Sequence, residues 1–173
     1  MAHLASKSIV DAAVTRIRQI APISTAWGPS NAFSAITIVQ PGDLAYLPER
    51  PDLLSDLPAV FCKIDGAVDI ELESMTGDQF NHTYNVRCVY VRAYDRATDD
   101  PWEIKREETD ALADAFLDSA VLNGISTDLF LLVSATTTSV DYDPQEDVLL
   151  AALGRDDIFA TAFTVEVVGL SQT

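Results

Sequence analysis

One long β-strand constrains the fold of this chain more than any other feature of its sequence. Residues 80–94 are rich in aromatic and β-branched side chains, which favour strands. Both faces of this strand carry apolar side chains, with Cys88 and Tyr90 on one and Val89 and Val91 on the other. Helices need only one of these faces. The second face is therefore either covered by other parts of the same chain or available to a partner.

A helix start follows this strand. Asp100 is suited to the N-cap, Pro101 to the first helical position, and Glu103 to closing a capping box. We therefore expect a second helix over about 101–122, packed on the sheet. Its apolar face is predicted to consist of Ile104, Ala111, Leu112, Ala115, Phe116 and Leu122.

The remaining elements predict a single α+β domain over residues 1–173 with a mainly antiparallel sheet. Apolar residues at helical spacing indicate an N-terminal helix over 6–21. Alternating or β-branched runs predict the other strands, which are 33–39, 59–64, 67–73, 129–140 and 158–168. The order is helix, strands, helix, strands, which is typical of the α+β class.

Two connections carry specific expectations. The dipeptide Asp65–Gly66 predicts a hairpin turn before the strand at 67–73, whose residues Val68, Ile70 and Leu72 should face the core. The segment 42–58 contains three prolines, so it cannot pair as a regular strand, and we expect a projecting loop there.

The charge of the chain disfavours one class of function. Its 27 acidic and 11 basic residues give a net charge of −16, which repels nucleic acid backbones. A role in reading DNA is therefore disfavoured. This charge is compatible either with a simple role in solubility or with an acidic surface along which a polyanion moves without binding.

No apolar run approaches the ~18 residues of a membrane span, and no signal peptide is recognised, so we expect synthesis in the cytoplasm and no membrane contact.

No residue pattern indicates catalysis, a cofactor or a metal. Cys62 and Cys88 lack metal-ligand spacing and are expected to be reduced core thiols, with a disulfide open if their strands are neighbours. His82, expected in a polar turn, would have to serve any Ser-His-Asp triad, but no nucleophile elbow accompanies it. The acidic run 141–147 lacks the glycine and glutamate of a calcium loop. The 27 carboxylates offer many acidic pairs of the kind that glycoside chemistry uses, so a small ligand-binding enzyme is the alternative class.

The layout of the chain resembles that of bacteriophage tail terminator and head–tail joining proteins. The matching features are an N-terminal helix, a mostly antiparallel sheet, a helix that crosses the sheet and a closing strand. The segments that carry the resemblance are 8–21, 57–60 entering a strand, 84–94, 101–122 and 159–168.

This resemblance implies a structural virion protein rather than an enzyme. Such a protein would form a ring, typically a hexamer, that caps the tail tube and joins it to the head-completion or neck protein, while genomic DNA passes through the lumen. A subunit or tube contact is then expected at Arg87, Val89 and Val91. An axial contact is expected in the 42–58 loop, at Asp43, Leu44, Tyr46, Leu47, Glu49 and Arg50. The alternatives within the same biology are a connector or neck protein and a tail-tube protein.

Overall fold

The structure of the chain is a computed structural model. It describes residues 6–20, 38–42, 57–72, 79–114, 116, 120–121, 132–144 and 156–172. Within these residues the chain forms two helices and a seven-stranded sheet. In chain order the elements are α1 (Ser6–Ile20), β1 (Ile38–Pro41), β2 (Ala59–Ile64), β3 (Asp69–Leu72), β4 (Gln79–Ala93), α2 (Pro101–Asp114), β5 (Ala120–Val121), β6 (Leu132–Asp141) and β7 (Ile158–Gln172).

The two longest strands lie at the centre of the sheet. The strand order is β1-β2-β4-β7-β6-β5, and β3 also pairs with β4. β4 and β7 pair over 15 residues each, from Gln79 opposite Gln172 to Ala93 opposite Ile158. The pair β1–β2 is parallel and the other described pairs are antiparallel. The predicted α+β class with a mainly antiparallel sheet is confirmed.

Both helices cover the same face of this sheet, which we call the helix face. The apolar stripe of α1, with Ile9, Val14 and Ile17, belongs to the same buried cluster as Leu112 and Phe116 from the α2 region. The sheet contributes alternate residues of its central strands to this cluster: Tyr84, Val86, Cys88 and Tyr90 from β4, and Phe159, Phe163, Val165 and Val167 from β7. The opposite face is called the second face below.

The second helix is shorter than the sequence predicts. α2 ends at Asp114 instead of about residue 122, and residues 120–121 already belong to β5. Phe116 marks the turn, because its N–H donates to the Ala113 carbonyl at 3.0 Å and its own carbonyl accepts from Thr137 N–H at 3.2 Å. The fully buried Phe116 ring lies beside Phe163, at 6.4 Å between ring centroids. Packing on the sheet therefore ends the helix before the predicted end at about residue 122.

The predicted hairpin at Asp65–Gly66 is wrong. β2 and β3 both pair with β4, end to end along the same side of it. From Ile64 to Asp69 the chain advances by five residues. Their partners on β4, Val86 and Thr83, are only three residues apart. Gly66 has φ 77°, a left-handed conformation suited to glycine. The dipeptide thus makes an irregular bulge in one strand line instead of reversing the chain.

The ends of the proline-rich segment are held against β2. Gly42 N–H donates to the Cys62 carbonyl at 2.9 Å, and Leu57 packs against apolar residues of the second face. β1 and β2 are parallel, so they are not the two strands of a hairpin. The predicted projecting loop, with Asp43, Leu44, Tyr46, Leu47, Glu49 and Arg50, lies outside the described residues.

Candidate interaction surface

One half of the second face is buried within the single chain. Val89 and Val91 are 2% and 0% exposed. They belong to a second apolar cluster with Ala59, Phe61, Ile158, Ala160 and Ala162. The expectation that Val89 and Val91 contact a neighbouring subunit is therefore corrected. Their side chains already pack inside this chain, so burial, not exposure, explains why both faces of β4 are apolar.

The other half of the second face is polar and partly exposed. Along β4 it presents Asn81, Thr83, Asn85 and Arg87, each neither buried nor fully exposed. On β7 the residues opposite them are Leu170, Val168, Glu166 and Thr164. We call this surface the open face and define it by these eight residues. It is a sheet surface that offers hydrogen-bonding groups with a few aliphatic side chains.

Arg87 lies in the one basic area that the described strands place on the open face. Its directly opposed neighbour on β2 is Lys63, so two cations face each other across the strands. Opposed like charges are unfavourable unless an anion lies nearby. Glu166 is diagonal to Arg87, because it pairs with Asn85 two residues away. Of the three contact residues expected on β4, only Arg87 remains accessible.

The edge strand β3 exposes two large aliphatic side chains. Ile70 and Leu72 are 52% and 58% exposed, and all four residues of β3 are exposed. They lie opposite His82 and Phe80, so they point to the helix-face side. The predicted half-buried strand is therefore wrong in its burial, although its alternation is preserved. Alternation indicates which residues share a face but not whether anything covers that face.

A third exposed apolar side chain lies at the other end of β4. Trp102, 54% exposed, lies in the first turn of α2, nine residues after β4 ends. Its ring makes an edge contact with Tyr142, at 6.2 Å between centroids. β3 pairs with residues 80–83 of β4, whose other end at Ala93 is roughly 33 Å further along the strand. The molecule thus has exposed apolar side chains at both ends of its central strand.

A buried polar group under α2 was not predicted from the sequence. Tyr90 O–H donates to Glu108 Oε2 at 2.6 Å, and Arg92 forms an ion pair with the same carboxylate. Glu108 is 3% exposed, and burial raises the pKa of Tyr90. Glu108 lies four residues from both Ile104 and Leu112, so helical spacing placed it on the buried stripe. The four-residue spacing from Glu108 to Ile104 and Leu112 was therefore the signal in the sequence from which the burial of Glu108 could have been predicted.

A second set of contacts joins α2 to the chain after β6. Lys105 Nζ lies 2.8 Å from Asp143 Oδ1 and 5.7 Å from the centre of the Phe159 ring. Tyr142 O–H donates to Asp110 at 2.6 Å, and this hydrogen bond, with burial second, raises the pKa of Tyr142. The beginning of the acidic run 141–147 is thus used to fix α2 on the sheet. Residues 145–147 lie outside the described residues.

His82 is a core residue of β4, and the prediction of a polar turn there is wrong. It is 1% exposed, and its ring stacks on Tyr84 with 6.5 Å between centroids. Burial lowers the pKa of His82 from its usual value of 6.5, which favours the neutral ring at pH 7. Among the residues that the structure describes, no group of three or more His, Cys, Asp or Glu side chains is arranged to hold a metal ion.

A cleft of about 330 Å³ opens between the start of α1 and the β1–β2 edge. Its walls are Ser6, Lys7, Val10, Asp11, Pro41, Gly42, Cys62, Lys63 and Ile64. Lys7 and Asp11 form an ion pair at 2.5 Å on α1. The buried Tyr90–Arg92–Glu108 group lies under the other helix and does not line this cleft.

Comparison with known protein families found no matching family, and comparison with curated proteins found no match. In the part of the chain that the structure describes, no helix has the length and hydropathy needed to cross a membrane.

Proposed function

We propose that the protein is a structural component of a bacteriophage virion, similar to tail terminators. It assembles into a ring, with a hexamer as the expected form, which caps the tail tube and offers its other side to the head-completion or neck protein. It acts by surface complementarity, without bond chemistry. On this proposal it is assembled in the host cytoplasm and resides at the tail–neck junction of the virion.

The order of elements supports this proposal. α1 precedes the sheet, α2 crosses the same face of it, and β7 closes it beside β4. These are the features in which the chain resembles tail terminator and head–tail joining proteins. Many α+β domains share this order, so the surfaces of the molecule must carry the functional assignment.

The observation that carries the proposal is the exposed apolar edge at Ile70 and Leu72. Both side chains are more than half exposed on a strand whose outer edge pairs with no other described strand. An exposed aliphatic edge strand tends to pair with another chain unless it is covered. We assign one subunit contact to this edge and a second, on the opposite face of the sheet, to Arg87 of the open face. The sequence predicted the subunit contact at Val89 and Val91. We propose it instead at these accessible residues.

The charge of the molecule supports a DNA passage rather than a DNA-binding site. The net charge of −16 gives a ring of several subunits a strongly negative surface. Such a lumen repels DNA phosphates and lets the genome pass without being held. The axial contact at residues 43, 44, 46, 47, 49 and 50 is part of the same proposal.

Oligomeric state tests the proposal directly. The full chain is purified and studied by light scattering and negative-stain microscopy, alone and with a tail-tube protein. We expect rings with a central pore. The paired substitution Ile70→Thr and Leu72→Thr should give monomers with an unchanged circular dichroism spectrum, because both side chains are exposed and threonine suits strands. Trp102→Gln, an equally exposed apolar residue far from β3, is the matched control and should still form rings.

Each other outcome has a defined meaning. A chain that stays monomeric with and without tail-tube protein contradicts the proposal. Rings that bind a neck protein but not the tube end indicate the alternative connector role, and open tubes indicate a tail-tube protein. Rings that persist when Ile70 and Leu72 are both replaced by threonine place the contact elsewhere on the molecule.

A further inference from the structure

The two cysteines of the chain face each other across neighbouring strands. Cys62 of β2 is directly opposite Cys88 of β4, and both are free and buried on the helix face. Sequence spacing alone gave no reason to pair them, because 26 positions and the whole of β3 separate them along the chain. The register of the sheet brings them together.

The hydrogen-bonding pattern defines the type of pair. The Cys62 carbonyl accepts from Gly42 N–H, so it points towards β1 and away from β4. Asp65 N–H donates to the Asn85 carbonyl, which places the hydrogen-bonded positions of this ladder at odd residues of β2. Cys62 and Cys88 therefore form a non-hydrogen-bonded pair.

This geometry suits a disulfide. In a non-hydrogen-bonded pair the Cα atoms are about 4.5 Å apart, and the side chains lie on one face. A disulfide needs Cα atoms roughly 4.4–6.8 Å apart. The two thiols are also close enough to share a hydrogen bond. Burial, and after it this contact, raises the pKa of the Cys88 thiol, which favours its protonated form at pH 7.

The cleft beside α1 gives one of the two cysteines a route to solvent. Cys62 lines this cleft, whereas Cys88 does not. Lys7 and Lys63 also line it, and the Lys7 side chain is 90% exposed. Cys62 itself is fully buried, so a small movement of the cleft wall has to precede any reaction. A small reagent needs less movement of this wall than a bulky one does.

We propose that Cys62 and Cys88 form a reversible dithiol–disulfide pair that a small peroxide oxidises through the cleft. The Cys62 sulfur attacks one peroxide oxygen, the O–O bond breaks, and the other oxygen leaves as water with the thiol proton. The Cys88 sulfur then attacks the resulting sulfenic sulfur, the S–O bond breaks, and a second water leaves. Two thiols are oxidised and one peroxide is reduced. A dithiol reductant reverses the change by thiol–disulfide exchange.

The bond would fasten the β1–β2 edge to the central strand. It closes a loop of about 25 residues, and a cross-link of this length restricts the unfolded chain. For a protein of this size we expect the midpoint of thermal unfolding to rise by about 6–10 °C. Because β3 lies inside the closed loop, the exposed edge strand would also be held more tightly to β4.

Oxidation of the native full chain tests this proposal. The protein is exposed to hydrogen peroxide in buffer, and parallel samples are exposed in concentrated urea. Thiol titration, intact mass and non-reducing peptide mapping follow the products. We expect both native thiols to disappear, the mass to fall by two hydrogen atoms, a peptide link between Cys62 and Cys88, and full reversal by dithiothreitol.

The single variants identify which cysteine reacts first. In Cys88→Ala the remaining Cys62 should form a sulfenic acid that dimedone traps, and in Cys62→Ala the remaining Cys88 should react more slowly. If either variant fails to fold, the wild-type products decide the question alone. The proposal is overturned if the native thiols persist under conditions that oxidise the urea-unfolded chain. A link between two chains, or a sulfinic acid without a link, also overturns it.

Discussion

At the scale of single residues, the buried Glu108 carboxylate has the strongest effect that the structure predicts. It accepts a hydrogen bond from Tyr90 and pairs with Arg92, whose side chain is 13% exposed. Removing one partner of a buried ion pair leaves an uncompensated charge, which is far more costly than removing both. The Arg92–Glu108 ion pair is thus required for α2 to pack on the sheet.

We expect Glu108→Leu to lower the free energy of unfolding by about 3–5 kcal/mol, since Arg92 is then buried without its carboxylate. Urea unfolding followed by circular dichroism measures the change. Glu103→Leu is the matched control on the exposed side of the same helix and should cost less than about 1 kcal/mol. Adding Arg92→Met to Glu108→Leu should recover part of the loss. Equal effects of the two single substitutions would contradict this role.

Glu108 also shows where prediction from sequence fails at this scale. Charged residues on a helix are normally assigned to solvent. The apolar face predicted for α2 therefore did not include Glu108, although Glu108 shares helical spacing with Ile104. Its partners come from β4, and only the tertiary structure brings them together. The N-cap residue Asp100, in contrast, depends on neighbours within three positions and was correctly predicted.

At the scale of elements, the start of α2 is encoded locally. Asp100 Oδ1 accepts from Trp102 N–H at 2.9 Å and from Glu103 N–H at 3.4 Å. We expect Asp100→Ala to destabilise the protein by about 1 kcal/mol, because these N–H groups lose their acceptor. Asp100→Ser retains a capping oxygen and should restore most of the loss. Thermal unfolding of the three proteins gives the comparison, and an alanine variant as stable as wild type would exclude the cap as a contributor.

The ends and pairings of elements depended on distant contacts, which explains the errors made from sequence. α2 stops early because Phe116 is buried beside Phe163 and its carbonyl accepts from Thr137. Asp65–Gly66 does not reverse the chain because β4 is long enough to pair with β2 and β3 in succession. The strands β4, β6 and β7 were predicted well, since their long runs of β-branched and aromatic residues favour strands.

At the scale of the whole molecule, net charge opposes the assembly that we propose. Subunits with a charge of −16 repel each other, and salt screens this repulsion. We expect the fraction of rings, measured by sedimentation velocity, to increase as NaCl is raised from about 0.05 to 0.5 M. The double variant with Ile70→Thr and Leu72→Thr should stay monomeric throughout. If salt instead dissociates the rings, ionic contacts, such as those made by Lys63 and Arg87, dominate the interface.

The central position of β7 has a consequence for the order in which the protein can fold. β7 pairs with β4 on one side and β6 on the other, yet it is translated after both. Its partners in β4 are between 65 and 93 positions earlier in the chain. Until β7 leaves the ribosome, the strands on its two sides have no shared neighbour, and the inner edge of β4 stays open. We therefore expect slow folding dominated by non-local pairing, and a nascent chain that depends on its last strand to close the sheet.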